Sequence, residues 1–111
     1  MRSIEINGKA LETDDDGFLK NQDDWNADVA SYFATTEDIE MTPLHWEIVN
    51  FLREYYKYYQ IAPMVRVLVK EIGKRFGPDK GTVKYLYELF PGGPAKQACK
   101  IAGLPRPTGC V

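Results

Sequence analysis

Residues 63–90, PMVRVLVKEIGKRFGPDKGTVKYLYELF, decide the fold. Pro63 opens a helix, because a missing N–H costs nothing in a first turn. Val65, Leu68, Val69, Ile72 and Phe76 then recur at helical spacing on one side, while Arg66, Lys70 and Lys74 follow each other at steps of four on another. Gly77-Pro78 ends this helix. After the turn Asp79-Lys80-Gly81, residues 82–90 resume a helical pattern with Leu86, Leu89 and Phe90 inward. Two helices joined by a tight glycine-containing turn predict a helix-turn-helix.

Working toward the N-terminus, Thr42-Pro43 is a helix start: a hydroxyl that can cap free N–H groups, followed by proline at the first helical position. The helix it opens runs to about Gln60, with Ile48, Leu52, Tyr55 and Tyr59 on the inward face. The tyrosines of Tyr55-Tyr56 and Tyr58-Tyr59 read as core and core edge rather than as a base-stacking platform. Trp25, Val29, Tyr32 and Phe33 predict a short helix over 25–34, and Asp14-Asp15-Asp16-Gly17 a turn. At the start of the chain, Asn7-Gly8 between two alternating runs predicts a hairpin over residues 3–12, since this dipeptide supplies the two positive φ values of a type I′ turn.

Toward the C-terminus, Pro91-Gly92-Gly93-Pro94 punctuates, and residues 95–102 form a last helix bearing Cys99. Gly103, Pro105, Pro107 and Gly109 then leave 103–111 as an extended, mobile arm with Cys110 near its tip. The expected architecture is one mainly α (α+β) domain over 1–102, an orthogonal helical bundle with an N-terminal β-hairpin, followed by the arm 103–111.

Composition is consistent with that plan. A chain of 111 residues, 44% hydrophobic and 13% aromatic, can fill one core without metals or staples. It shows neither a signal peptide nor an apolar run long enough to enter a membrane, so a cytoplasmic protein, monomeric on its own, is expected. The net charge of -2 hides an asymmetry: residues 1–40 hold three Lys/Arg against eleven Asp/Glu, residues 41–111 eleven against five. The basic half can meet nucleic acid or an acidic protein, or be balanced by the acidic half within the fold.

Two cysteines are too few for a secreted disulfide scaffold, and ten residues between them with a single distant histidine argue against a metal site. On its helix, Cys99 reads equally as a small buried hydrophobe or as a reactive thiol. Cys110, after proline and glycine, has little to bury it and reads as a reactive thiol. Nine residues of arm extend to about 30 Å, enough to carry a sulfur atom into another protein's cleft, and can also fold back so that Cys99 and Cys110 join. Lys96, Lys100 and Arg106 would favour a thiolate, and the Val111 carboxylate would oppose it. Chemistry open to such a pair is uptake of sulfane sulfur on Cys110 as a persulfide, followed by attack from Cys99 to leave an internal disulfide. His45 has no carboxylate or serine neighbour in sequence that would complete a catalytic arrangement, and is assigned a structural role.

The tail from Pro94 to Val111 closely resembles the C-terminus of the DsrC/TusE family of sulfur-relay proteins. The resemblance extends through Lys84-Tyr85-Leu86-Tyr87, Leu89-Phe90-Pro91, His45-Trp46-Glu47 and Phe51-Leu52-Arg53-Glu54-Tyr55-Tyr56, nearly the whole chain. It implies a winged-helix-like bundle and a sulfur carrier, a sulfurtransferase-type protein cosubstrate rather than a stand-alone catalyst. The TusE branch, which passes sulfur toward tRNA 2-thiouridine, looks to keep the penultimate cysteine alone. Cys99 beside Cys110 therefore resembles the DsrC branch, in which the pair forms a trisulfide or disulfide as cosubstrate of dissimilatory sulfite reductase (DsrAB). The partners this implies are that reductase, which would own the sirohaem, with no cofactor bound to this chain; a DsrEFH or TusBCD-type sulfurtransferase complex; and a DsrMKJOP or heterodisulfide-reductase-like complex. Arg66, Lys70, Lys100 and Arg106 are candidate contacts for partner or arm. The helix-turn-helix also admits a redox-responsive DNA-binding regulator, with Arg66, Lys70, Lys74 and Lys84 on phosphates, but a pI near 5.4 weighs against it.

Overall fold

The computed structural model describes residues 2–105. Its elements are β1 (Arg2–Ile6), β2 (Lys9–Thr13), a single 3-10 turn at Gln22–Asp24, α1 (Ala27–Thr36), α2 (Pro43–Tyr59), α3 (Val65–Phe76), α4 (Val83–Leu89) and α5 (Pro94–Ile101). The expected helical bundle with an N-terminal hairpin is what the chain forms. β1 and β2 pair antiparallel from Arg2↔Thr13 to Ile6↔Lys9. Asn7 and Gly8 turn the hairpin at φ 54° and 81°, the left-handed values a type I′ turn requires.

α2 begins where Thr42-Pro43 places it. The Thr42 hydroxyl accepts from the His45 N–H, and the Thr42 N–H donates to His45 Nδ1 at 3.1 Å, a reciprocal capping box. Since Nδ1 accepts there, the proton sits on Nε2, which donates to Leu89 O at 2.8 Å. His45 is thus a buried strut joining the start of α2 to the end of α4, with its ring edge-on to Phe90.

The helix-turn-helix of α3 and α4 depends on two glycines in contact. A Cβ on Gly81 would lie 2.6 Å from Gly73 N and 2.7 Å from Val69 O, so the turn before α4 approaches α3 as closely as it does only because Gly81 carries no side chain. The core beneath is continuous from Leu11, Phe18 and Leu19 of the N-terminal segment through Val29 and Phe33 of α1, Ile48 and Leu52 of α2, Leu68 and Ile72 of α3, and Leu86, to Cys99 and Ile101 of α5.

Three expectations change. Trp25 precedes α1 instead of opening it: the helix starts at Ala27 behind an Asn26 cap, and Trp25 is turned toward α5. The inward face of α2 stops short of its end, because Tyr58 and Tyr59 are 85% and 60% exposed, beyond the reach of the helices that cover Ile48 and Leu52. Finally, the body does not end at residue 102. Gly103 is buried and Leu104 is 1% exposed, so both belong to the packed body.

Candidate functional site

α5 positions the first of the two candidate cysteines. Pro94 starts the helix, and its buried face carries Ala95, Ala98, Cys99 and Ile101. α5 packs mainly on α1, α2 and α4. Cys99 is completely buried, and burial alone pushes its thiol up to about 12, because an ion there would lose its hydration with no charge to replace it. The expected help from nearby lysines is absent. Lys96 points to solvent, and Lys100 is committed to Glu37 at 3.2 Å with its ammonium 5.9 Å above the Phe18 ring. Lys100 is therefore engaged within the body rather than offered to an arm or a partner.

The C-terminal turn of α5 is closed by an unusually complete set of hydrogen bonds. A helix leaves its last carbonyls without partners. Here Ala102 N donates to Ala98 O at 2.9 Å, Gly103 N to Lys100 O at 3.2 Å, and Leu104 N to Cys99 O at 3.0 Å. With Gly103 left-handed at φ 72°, this is a Schellman cap in which Cys99 supplies the distal acceptor. The two carbonyls that remain are taken by side chains from far away in sequence. Trp25 Nε1 donates to Ile101 O at 2.8 Å, and Arg53 Nη1 donates to Ala102 O at 2.7 Å. The two donors also hold each other, the Arg53 guanidinium lying 4.1 Å from the centroid of the Trp25 ring. Burial lowers Arg53 from its ordinary value, and Asp23 pulls it part of the way back.

Outside this clamp the surface opens into a cleft of about 480 Å³ lined by Gln22, Asp23, Arg53, Glu54, Lys57 and Leu104. Leu104, buried at the end of the α5 cap, forms part of its lining. Neither Trp25 nor Arg53 stands out in sequence as a site residue, since each acts across a long stretch of chain. A glycine at the first position after a helix, followed by leucine, was the available signal for the cap itself.

Arg66 and Lys70 lie exposed on α3, which packs mainly on α4. They have no ion-pair partner among the described residues, and the packing does not bring them together with Cys99. Cys110 and Arg106 lie outside the described residues, as does the whole of 106–111. No helix of the described residues is long and apolar enough to cross a membrane.

Hairpin, helix-turn-helix and a cysteine-bearing last helix together define a small, mainly α-helical body. The chain belongs to the family described as DsrC like protein, whose model matches residues 5–111. Among solved structures it is similar to DsrC of Allochromatium vinosum, at 58% identity and TM-score 0.88 over 98% of this chain and 97% of that one. It is also similar to the oxidized gamma-subunit of the dissimilatory sulfite reductase (DsrC) from Archaeoglobus fulgidus, at 47% identity and TM-score 0.86 over 99% and 100%. Among curated relatives, Sulfurtransferase TusE of Photorhabdus laumondii is 48% identical over 111 residues, covering 100% of both chains. Sulfurtransferase TusE of Escherichia coli is 48% identical over 104 residues, 94% of this chain and 95% of its own length.

Proposed function

We propose that this protein is a sulfur carrier in which Cys110 holds sulfane sulfur and Cys99 is the resolving thiol. The observation that carries this reading is full-length similarity to proteins named Sulfurtransferase TusE and DsrC, with the family match running through Cys110 to residue 111. In the loading step, the Cys110 thiolate attacks the outer sulfur of a donor persulfide, and the donor leaves as a thiolate. In the release step, Cys99 attacks Cys110 Sγ, hydrosulfide departs, and a Cys99–Cys110 disulfide remains, which a dithiol reductant must reopen.

Two cysteines favour service as cosubstrate of a dissimilatory sulfite reductase, with a trisulfide or disulfide between Cys99 and Cys110 and the sirohaem held by that partner. The similarity to DsrC structures supports this branch. A second reading, a relay toward tRNA 2-thiouridine, is favoured by the TusE names of the curated relatives and needs Cys110 alone. In either role the carrier works as a protein cosubstrate in a reducing cytoplasm, loaded by a DsrEFH or TusBCD-type complex and, in the first role, reset by a DsrMKJOP or heterodisulfide-reductase-like complex. A DNA-binding role gains no support from α4, whose exposed residues include Val83, Tyr87 and Glu88 beside Lys84, a mixed surface poorly suited to phosphates.

The test is to incubate the reduced protein with dissimilatory sulfite reductase, sulfite and an electron donor, and to digest without reductant. Recovery of linked Cys99 and Cys110 peptides bridged by an extra sulfur, lost in Cys99→Ala and Cys110→Ala, supports the first reading. Sulfur on Cys110 irrespective of Cys99 selects the relay, and no sulfur on either cysteine rejects the first reading. The exposed α3 cations Arg66 and Lys70 are proposed partner contacts, and unchanged affinity for that reductase in Arg66→Ala and Lys70→Ala variants would exclude them.

A further inference from the structure

In the closed fold the Cys99 thiol is out of reach of any incoming group. Cys99 is fully buried, and its own carbonyl accepts the Leu104 N–H of the Schellman cap. A thiol without exposure becomes an attacking group only when the structure around it opens, and the residue's own backbone is bonded into the turn that ends the helix. The bonds that close this turn are of two kinds. Three are local backbone bonds, which any Gly-Leu cap would make. The other two come from Trp25 and Arg53, which are not needed for the helix to exist and which reach the Ile101 and Ala102 carbonyls from 76 and 49 residues away.

We infer that Trp25 and Arg53 are positioning residues that latch the last turn of α5 over Cys99, so that their release is the step that admits Cys110 to it. The inference rests on the two-cysteine reading above. Three features of the geometry support it. The latch carries one buried carbonyl on each donor, so its loss exposes the cap at the residues adjoining Cys99. Stacking couples the two donors, so they let go together. Arg53 and Leu104 also line the same open cleft, so the released turn has space to swing into and an incoming thiol has a path. Gly103 completes the fit: a Cβ there would strike the Trp25 ring, with Cγ 2.9 Å and the ring's own Cβ 3.0 Å away. The latch thus keeps Cys99 protonated and out of reach while Cys110 is being loaded, and prevents premature closure of the disulfide.

Thiol labelling tests this. In a Cys110→Ala background, Cys99 is the only cysteine, and its reaction with dithiobis-nitrobenzoate reports opening of the turn. Labelling by local opening proceeds at a rate nearly independent of low urea concentrations. A rate that climbs with the full urea dependence of global unfolding would overturn the latch without any further variant. Trp25→Phe and Arg53→Met should each raise the rate at least about tenfold, equivalent to about 1.4 kcal/mol of lost closure, and Arg53→Lys, which keeps a donor, should raise it less. In the chain with both cysteines, closure of the Cys110–glutathione mixed disulfide by Cys99, which forms the Cys99–Cys110 bond and releases glutathione, should accelerate by the same factor. Wild-type closure rates in folded latch variants would refute the inference. Absence of any closure in the wild type would instead refute the two-cysteine reading on which it rests.

Discussion

Gly103→Ala is the substitution whose cost the structure lets one divide into parts. Gly103 sits at φ 72°, where an alanine is strained by about 1 kcal/mol. Its new methyl would also lie 2.9 Å from Trp25 Cγ and closer still to Cδ1, too near for the ring to stay. A displaced indole gives up its bond to Ile101 O, leaving a partly buried carbonyl without a donor at a cost of about 1–2 kcal/mol, and loosens the Arg53 stack, worth about 0.5 kcal/mol more. The expected loss is about 3 kcal/mol. Gly8→Ala provides the control, since Gly8 has φ 81° with nothing within 4 Å of the added methyl, so the strain alone applies and about 1 kcal/mol is lost. Urea unfolding followed by far-ultraviolet circular dichroism measures both. Equal losses in the two variants would show that Trp25 yields freely and that its fit against Gly103 contributes nothing.

Three further outcomes follow from the same geometry. Gly81→Ala sets a methyl against the backbone of Gly73 and Val69, which no rotamer change can relieve, and should cost about 2–3 kcal/mol in urea unfolding, with Pro78→Ala in the same turn nearly neutral. His45→Phe keeps an aromatic ring against Phe90 but strands the Leu89 carbonyl and the Thr42 N–H, and should lower stability by about 2–3 kcal/mol, more than the roughly 1 kcal/mol of Thr42→Ala. For Cys99, folding raises the thiol to about 12, so the unfolded chain gives up its proton first. Its contribution is intact below the ordinary thiol value of 9.0 and is lost as pH climbs toward 12, roughly 2 kcal/mol being gone by about pH 10.5. Urea midpoints across that range should fall more steeply for the wild type than for Cys99→Ala.

Local chemistry made most of the fold legible. Asn7-Gly8 and Thr42-Pro43 act through backbone geometry within a few residues, and both appear where the sequence places them. Periodicity found α2 to α4 because the apolar faces it marks are the faces that pack, while residue propensity and the punctuation before it found α5. It overran at Tyr59, where the helix continues after its covering elements have ended, and at Trp25, which is apolar enough to fit a helical pattern but whose indole N–H serves α5. The arm boundary was misplaced for a related reason. Glycine after a helix signals both the end of order and a Schellman cap, and only the burial of Leu104 distinguishes them. Of the site, Cys99 and Cys110 were legible as the reactive pair's candidates, but Cys99's burial, Lys100's engagement with Glu37 and the Trp25–Arg53 latch depend on contacts between distant segments that no local pattern encodes.

The central claim, that Cys110 carries sulfur, is tested most directly by intact-protein mass spectrometry of the wild type, Cys99→Ala and Cys110→Ala after brief exposure to inorganic polysulfide. The account predicts a gain of one sulfur atom in the wild type and in Cys99→Ala, reversed by dithiothreitol, and none in Cys110→Ala, where the remaining thiol is buried under its cap. Sulfur taken up equally by Cys110→Ala, or by none of the three proteins, would contradict it.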